Sequence, residues 1–254
     1  VAISVHQFPC LSDNYGFLLH DEASGETVAI DTPDASVYLA EAAAKGWTIT
    51  QIWNTHWHPD HAGGNQAIKD ASGCNIIAPK GEGDKIACYD RQIEAGTQFD
   101  FAGHKVHVLD VSGHTMGHIA FHIPDAGIAF VGDSIFALGC GRMFEGTPDM
   151  MWSTMLRLRA LPNNTTLYCA HEYSQANARF AEHIDSGNDA LKNYVQFIDE
   201  QREQGKPTVP TVLARELDTN PFLRADDNVL QAKMGHEGDA VATFAAIRSA
   251  KDNF

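Results

Sequence analysis

The chain has 254 residues, 18 Lys and Arg against 33 Asp and Glu, a formal net charge of −15, and 13 histidines. An acidic balance of this size argues against nucleic-acid or anionic-membrane partners, both of which require a basic face. With 44% apolar and 20% charged residues, the composition is that of a globular protein able to bury a core without disulfides. The five cysteines, Cys10, Cys74, Cys88, Cys140 and Cys169, include no C-x-x-C pair. Reduced thiols in a cytoplasmic protein are therefore expected, rather than a disulfide framework or thiolate zinc knuckle. Residues 1–19 have no basic segment ahead of their apolar residues, so a signal peptide is not expected.

Along the chain, residues 16–19 and 27–30 read as strands around the turn Ala23-Ser24-Gly25. Residues 36–45 read as a helix stopped by Gly46. A short strand over 49–54 and a helix over 62–70 follow. Residues 97–101 with 105–111, and 119–123 with 128–131, read as hairpins. Thr147-Pro148 opens a helix running to Leu161, with proline at the tolerated first position, and 166–169 is again a strand. Beyond Tyr173 the pattern becomes helical, over 175–184, 189–204, 211–217, 228–233 and 240–250. A domain boundary is expected near residue 173, giving domains 1–173 and 174–254.

The chemistry concentrates in Thr55-His56-Trp57-His58-Pro59-Asp60-His61. In extended backbone, residues two apart project to one side, so His56 and His58 can reach one ion. The turn at Pro59 sends Asp60 and His61 elsewhere, which suits a second ion. Histidine clusters with an acidic member read as metal sites. His114, Asp133 and His171 each follow a predicted strand, where loops on a rigid sheet carry function. An aspartate has two oxygens and can bridge two cations, which singles out Asp133. His118 reads as structural, and Trp57, between two ligands, as a packing residue. By spacing alone, Arg248 and Lys251 read as a solvated helix face.

Residues 55–61 resemble the T-H-x-H-x-D-H signature of the metallo-β-lactamase superfamily, with His114, Asp133 and His171 in the superfamily's order. The chain is most similar to one branch, glyoxalase II or hydroxyacylglutathione hydrolase. That likeness rests on Gly63-Gly64-Asn65, Gly139-Cys140-Gly141-Arg142-Met143-Phe144-Glu145-Gly146, His171-Glu172-Tyr173, Asn220-Pro221-Phe222-Leu223-Arg224 and Arg248-x-x-Lys251-Asp252.

The resemblance implies a four-layer αββα sandwich, an α/β fold, followed by a small all-α domain that binds glutathione. It implies a binuclear site, with one divalent metal on His56, His58 and His114 and a second on Asp60, His61 and His171. Asp133 and a water or hydroxide bridge the two, and Asp31 supports the ligands. Asp31 also reads as a turn or helix cap before Pro33. Imidazole and carboxylate donors suit zinc foremost, with iron or manganese as alternatives.

The implied reaction is hydrolysis of the S-D-lactoylglutathione thioester to D-lactate and glutathione, the second step of methylglyoxal detoxification. Asp60 and Asp133 serve catalysis together with the bridging hydroxide. Arg142, Met143, Phe144, Tyr173, Arg248 and Lys251 contact the substrate. Two positions depart from some members, which have Lys at 142 and Tyr at 144. Arg142 keeps the charge, whereas Phe144 lacks a hydroxyl worth about 1 kcal/mol where its bond is made. A cytoplasmic monomer acting on a small-molecule glutathione thioester is expected. Lactonase, β-lactamase and persulfide dioxygenase are rival activities on the same scaffold, and a non-catalytic metal-binding scaffold is a rival of another class.

Overall fold

The computed structural model describes residues 3–254, which divide into two compact units. The first comprises residues 3–110 and 115–132, and the second residues 111–114 and 133–254.

The first unit opens with β1 (Ile3–Cys10), β2 (Asn14–Asp21) and β3 (Thr27–Ile30), then α1 (Ala35–Lys45) and β4 (Gln51–Trp53). It continues through α2 (Pro59–Ala62), α3 (Asn65–Ser72), β5 (Asn75–Pro79) and β6 (Arg91–Ile93). The hairpins β7 (Gln98–Phe101) with β8 (His104–Asp110), and β9 (Ile119–Ile123) with β10 (Ile128–Gly132), complete it. The first six strands form one sheet in sequence order, antiparallel through β3 and parallel from β3 to β6. Strands β7 to β10 form an antiparallel meander.

Side-chain alternation gives the first sheet two apolar faces. Leu18, Ala29, Ile52 and Ile76 lie side by side in register and pack with Tyr38 and Ala42 of α1 and Ile68 of α3. The neighbouring row, Phe17, Ile30, Trp53 and Ile77, faces the meander. Trp53 meets Phe121 and Phe101 at 5.2 and 5.3 Å between ring centroids, and Phe17 meets Phe130 at 5.8 Å. The unit is thus a sheet-on-sheet sandwich with helices on the outer face of one sheet.

α1 starts at Asp34, whose carboxylate accepts from the Ser36 and Val37 amides, and ends at Gly46 in the left-handed conformation. The single helix expected over 62–70 is instead two, because Gly63-Gly64 is tethered to a neighbouring strand end. Gly64 N donates to Thr32 O at 2.8 Å, and a Cβ on Gly64 would lie 2.7 Å from that oxygen. Strands β1, β5 and β6 were not anticipated. β1 is the first arm of a hairpin with β2, joined across residues 11–13, whereas β5 and β6 are short runs whose parallel partners come from elsewhere in the chain, so that pairing, not local pattern, makes them strands.

The second unit contains the two-residue strands β11 (Ile135–Phe136) and β12 (Gly139–Cys140), α4 (Pro148–Arg159), β13 (Thr166–Cys169), α5 (Ser174–Ile184) and α6 (Asp189–Glu203). β14 (Thr211–Val212), α7 (Leu213–Thr219), α8 (Asn228–Met234) and α9 (Ala240–Asp252) follow. Thr147 caps α4 ahead of Pro148, as expected. The helix expected over 211–217 begins two residues later, because Thr211 and Val212 pair with Leu167 and Thr166 of β13. All five cysteines are free thiols. Among the described residues, no helix is long and apolar enough to cross a membrane.

Tyr38 ties α1 to the sheet. Its buried hydroxyl accepts from Phe17 N at 3.0 Å and donates to Ile30 O at 2.8 Å. Replacing Tyr38 by Phe keeps the ring but leaves both groups without this partner. A loss of about 1–3 kcal/mol is expected in urea unfolding.

Candidate metal centre and substrate cavity

In the first unit, β3 and β4 run parallel and their C-terminal ends lie side by side, with Asp31 N donating to Trp53 O at 2.9 Å. Asp31 stands just beyond β3 at φ +52, a left-handed conformation that aspartate tolerates better than most residues. Its Oδ1 accepts from Thr55 N at 2.7 Å. Its Oδ2 accepts from Thr55 Oγ1 at 2.8 Å and from His61 Nδ1 at 2.9 Å. Thr55 Oγ1, having donated to Asp31, accepts from His56 Nδ1 at 3.0 Å. One carboxylate therefore fixes two imidazoles with their protons on Nδ1. In the neutral rings, Nε2 of His56 and of His61 is then the lone-pair nitrogen, turned toward His58 Nδ1 and Asp60 Oδ2 respectively. Asp31 caps no helix; Asp34 does that.

The four ligand candidates of this unit come together. His56 and His61 are buried with ring centroids 4.0 Å apart, His56 Nε2 is 3.0 Å from His58 Nδ1, and His61 Nε2 is 3.4 Å from Asp60 Oδ2. Asn14 Nδ2 donates to Asp60 Oδ2 at 3.1 Å. The loop is closed beneath by buried amides, with Asn54 donating to His61 O and paired with Asn65, which also accepts from Thr32. His118 donates from Nδ1 to Ile119 O and stacks on His56 at 4.5 Å, a supporting position. Trp57 packs against Lys85, with Nζ 5.1 Å from the ring centroid. Gly132, at φ +51, could not be another residue, since a Cβ there would come within 2.6 Å of Thr55 Oγ1 and 2.8 Å of the His118 ring.

The second unit carries the other three candidates. His114 Nδ1 donates to Arg142 O at 2.8 Å, which again leaves Nε2 as the lone-pair nitrogen. That nitrogen is 3.4 Å from Asp133 Oδ2, while Asp133 Oδ1 is 3.4 Å from His171 Nε2. Asp133 thus presents one oxygen to each of two buried imidazoles. A Cβ on Gly141 would fall 2.0 Å from Asp133 O and 3.0 Å from His114 Nδ1, so only glycine lets the chain pass.

His114 and Asp133 open onto a cavity of about 420 Å³ within this unit. Phe136, Phe144 and Tyr173 supply its aromatic wall, and Arg142, Arg248 and Lys251 supply its charge. Tyr173 stacks on His171 at 4.7 Å, and Phe144, 62% exposed, lies 5.3 Å from His114. Met143 is half-buried and is not among the lining residues.

Arg248 corrects the expectation of a solvated helix face. It is only 5% exposed, donates from Nη1 to Cys140 O at 2.8 Å and from Nη2 to Asp252 at 2.8 Å, and keeps a buried Nε with no hydrogen-bond partner. Burial, then the charges of Arg248, Arg179 and Arg142, hold the Lys251 ammonium below the usual lysine range, with Asp252 opposing them. Arg179, Asn177 and Asn14 were not anticipated, because no local motif marks them. Burial pushes the Cys140 thiol up to about 11 and the Cys169 thiol higher still, so neither is a ready nucleophile.

A family profile for the metallo-β-lactamase superfamily matches residues 21–171, and one described as hydroxyacylglutathione hydrolase C-terminus matches residues 172–254. ETHE1 from Myxococcus xanthus shares the fold, with a TM-score of 0.70 over 97% of this chain and 90% of that one at 22% identity. The architecture is the α/β sandwich of the metallo-β-lactamase superfamily with a C-terminal helical domain. The hydroxyacylglutathione hydrolase of Hyphomonas neptunium is 60% identical over 254 residues, covering 100% of this chain and 99% of the relative. That of Erythrobacter litoralis is 63% identical over 253 residues, covering 99% and 100%. The chain belongs to the hydroxyacylglutathione hydrolase family.

Replacing Asp31 by Ala removes the common acceptor of Thr55 and His61. Metal affinity, read by competition with a chelator, is expected to fall about 10–100-fold.

Proposed function

We propose that the chain hydrolyses the thioester of S-2-hydroxyacylglutathiones, S-D-lactoylglutathione foremost, to the 2-hydroxy acid and glutathione. The observation that carries this reading lies in the second unit. Asp133 stands between two imidazoles at one end of a cavity whose walls bear Arg142, Arg248 and Lys251.

The donor groups fit divalent cations. Facing pairs such as His114 Nε2 with Asp133 Oδ2 set a lone pair against a carboxylate, which calls for a positive charge between them. The ligand sets proposed are His56, His58 and His114 for one ion and Asp60, His61 and His171 for the other, with Asp133 bridging. Zinc is favoured, with iron or manganese as alternatives. When bound, such ions lower the pKa of a shared water toward neutrality and offset negative charge developing on a carbonyl oxygen.

The chain's own side chains do the rest. Asp31 and Thr55 hold the imidazoles, and Asn14 holds Asp60. Arg248 and Lys251, with Arg142 at the mouth, take the glycine carboxylate of glutathione, and the unpartnered Arg248 Nε is a donor suited to it. Tyr173 donates to the peptide, while Phe144 offers only its ring. The leaving thiolate belongs to a thiol of pKa about 8.5, so it departs without a strong general acid. The domains proposed are a metal domain, 1–173, and a helical glutathione-binding domain, 174–254, in keeping with the extents of the two family profiles.

Purified protein loaded with zinc is expected to consume S-lactoylglutathione, followed by its thioester absorbance, and Asp133→Ala to abolish turnover. Absence of hydrolysis by the loaded parent rejects the reading. Lys251 gives a pH signature. Because it loses its proton below the usual lysine range, KM is expected to rise toward alkaline pH earlier in the parent than in Lys251→Arg, whose charge persists. Identical KM–pH profiles would remove Lys251 from carboxylate binding.

A further inference from the structure

The hairpin β11–β12 links Asp133 to Arg142, and its own sequence does not specify it. Its two-residue turn is Ala137-Leu138, with Leu138 at φ +56. Tight hairpin turns favour Asn or Gly at left-handed positions, and a γ-branched leucine there must be held from outside. Four side chains of the helical region hold it. Asn177 donates to Ala137 O at 3.1 Å, Asn220 to Phe136 O and Gly139 O at 3.1 Å each, and Arg248 to Cys140 O at 2.8 Å. The remaining contact is the acceptor, Glu216, whose Oε2 takes Leu138 N–H at 2.9 Å.

Glu216 is completely buried, and the chemistry proposed above does not use it. Both its oxygens are occupied: Oε1 by Thr211 Oγ1 at 2.7 Å and Tyr194 OH at 3.1 Å, and Oε2 by Leu138 N and by Asn220 Nδ2 at 3.1 Å. It therefore orients Asn220, which holds two further hairpin carbonyls, as well as Leu138. Leu138 is sealed in an apolar cluster with Ala178, Ala181, Leu191 and Tyr194. Beyond the hairpin, Gly141 passes against Asp133 O, and Arg142 O accepts a hydrogen bond from His114 Nδ1. A shift of the hairpin therefore moves Asp133, His114 and Arg142 together.

We propose that Glu216 is a positioning residue, which holds the 135–140 hairpin so that Asp133 and the carboxylate-binding Arg142 keep one fixed separation. This rests on the thioesterase reading for its kinetic part alone.

The test compares Glu216→Gln, Glu216→Asp and Glu216→Leu in the zinc-loaded full chain, by steady-state kinetics on S-lactoylglutathione and hydrogen exchange at the Leu138 amide. Glu216→Gln keeps a carbonyl for Leu138, while the hydroxyls of Thr211 and Tyr194 turn to accept from the new amide. Its kcat/KM is expected to stay within about threefold of the parent. Glu216→Asp, one methylene shorter, and Glu216→Leu, with no acceptor, are expected to speed Leu138 exchange. In both, kcat/KM should fall about tenfold or more, kcat dropping and KM rising together. Should Glu216→Leu fail to fold, Glu216→Asp carries the comparison. A folded Asp variant with faster Leu138 exchange but parental kcat and KM overturns the proposal, even if its Tm is lower. If the parent hydrolyses no thioester, zinc affinity by chelator competition decides separately, with a loss of about tenfold expected in the Asp variant and an unchanged value overturning the proposal.

Discussion

The carboxylate of Asp31 accepts three hydrogen bonds, from Thr55 N, Thr55 Oγ1 and His61 Nδ1, and the histidine loop takes its form from them. They exist because β3 and β4 are parallel neighbours, so that the residues leaving both strands emerge at the same end. Parallel sheets characteristically build their sites there, where loops spring from a rigid base. Through Thr55 the same carboxylate reaches His56, and one acidic side chain sets the tautomer of two rings. His56 and His58 sit on irregular backbone, yet their surroundings are as buried and hydrogen-bonded as a core, with Asn54, Asn65 and Thr32 closing the loop from below. Metal ligands held by partners that are themselves held are the condition for a defined coordination geometry.

The second unit solves a different problem. A chain with a net charge of −15 repels an anionic tripeptide at long range. Against that background it gathers Arg142, Arg179, Arg248 and Lys251 in one region, with Asp252 as the carboxylate facing Arg142 and Arg248. The cost is visible in the depressed pKa of Lys251. A concentration of like charge that is unfavourable in the free protein is one that a bound carboxylate relieves. The Cys140 carbonyl and the Phe222 ring, 5.1 Å from the guanidinium, support Arg248, so its burial is compensated by a backbone acceptor and an aromatic face.

The two regions show how unevenly sequence encodes structure. Residues 36–45 carry their own stop signal in Gly46, and the structure keeps the helix within a residue of that reading, with the Asp34 cap at its start. The hairpins at 98–110 and 119–132 were equally legible, because the turns Ala102-Gly103 and Pro124 to Gly127 punctuate alternating strands. β5 and β6 were not, since each is a short run paired in parallel with a strand distant in the chain. The helix expected over 62–70 broke at Gly63-Gly64, where a tether to Thr32 outweighs local propensity.

The same division holds for function. The sequence by itself singled out the candidate donors: the spacing of His56, His58, Asp60 and His61 and the strand-end positions of His114, Asp133 and His171 are local facts of residue type and order. It also determined family, because motifs from Thr55 to Lys251 recur in a fixed order. Only the tertiary structure decided which ring nitrogen carries the proton, because that depends on hydrogen bonds to residues far along the chain, His61 to Asp31 and His114 to Arg142. It also turned Arg248 from an i, i+3 surface residue into a buried cation, and made Glu216, unremarkable in the sequence, the acceptor for a strained turn 78 residues away. Helical spacing says which residues share a face, whereas burial depends on what the rest of the chain packs against that face.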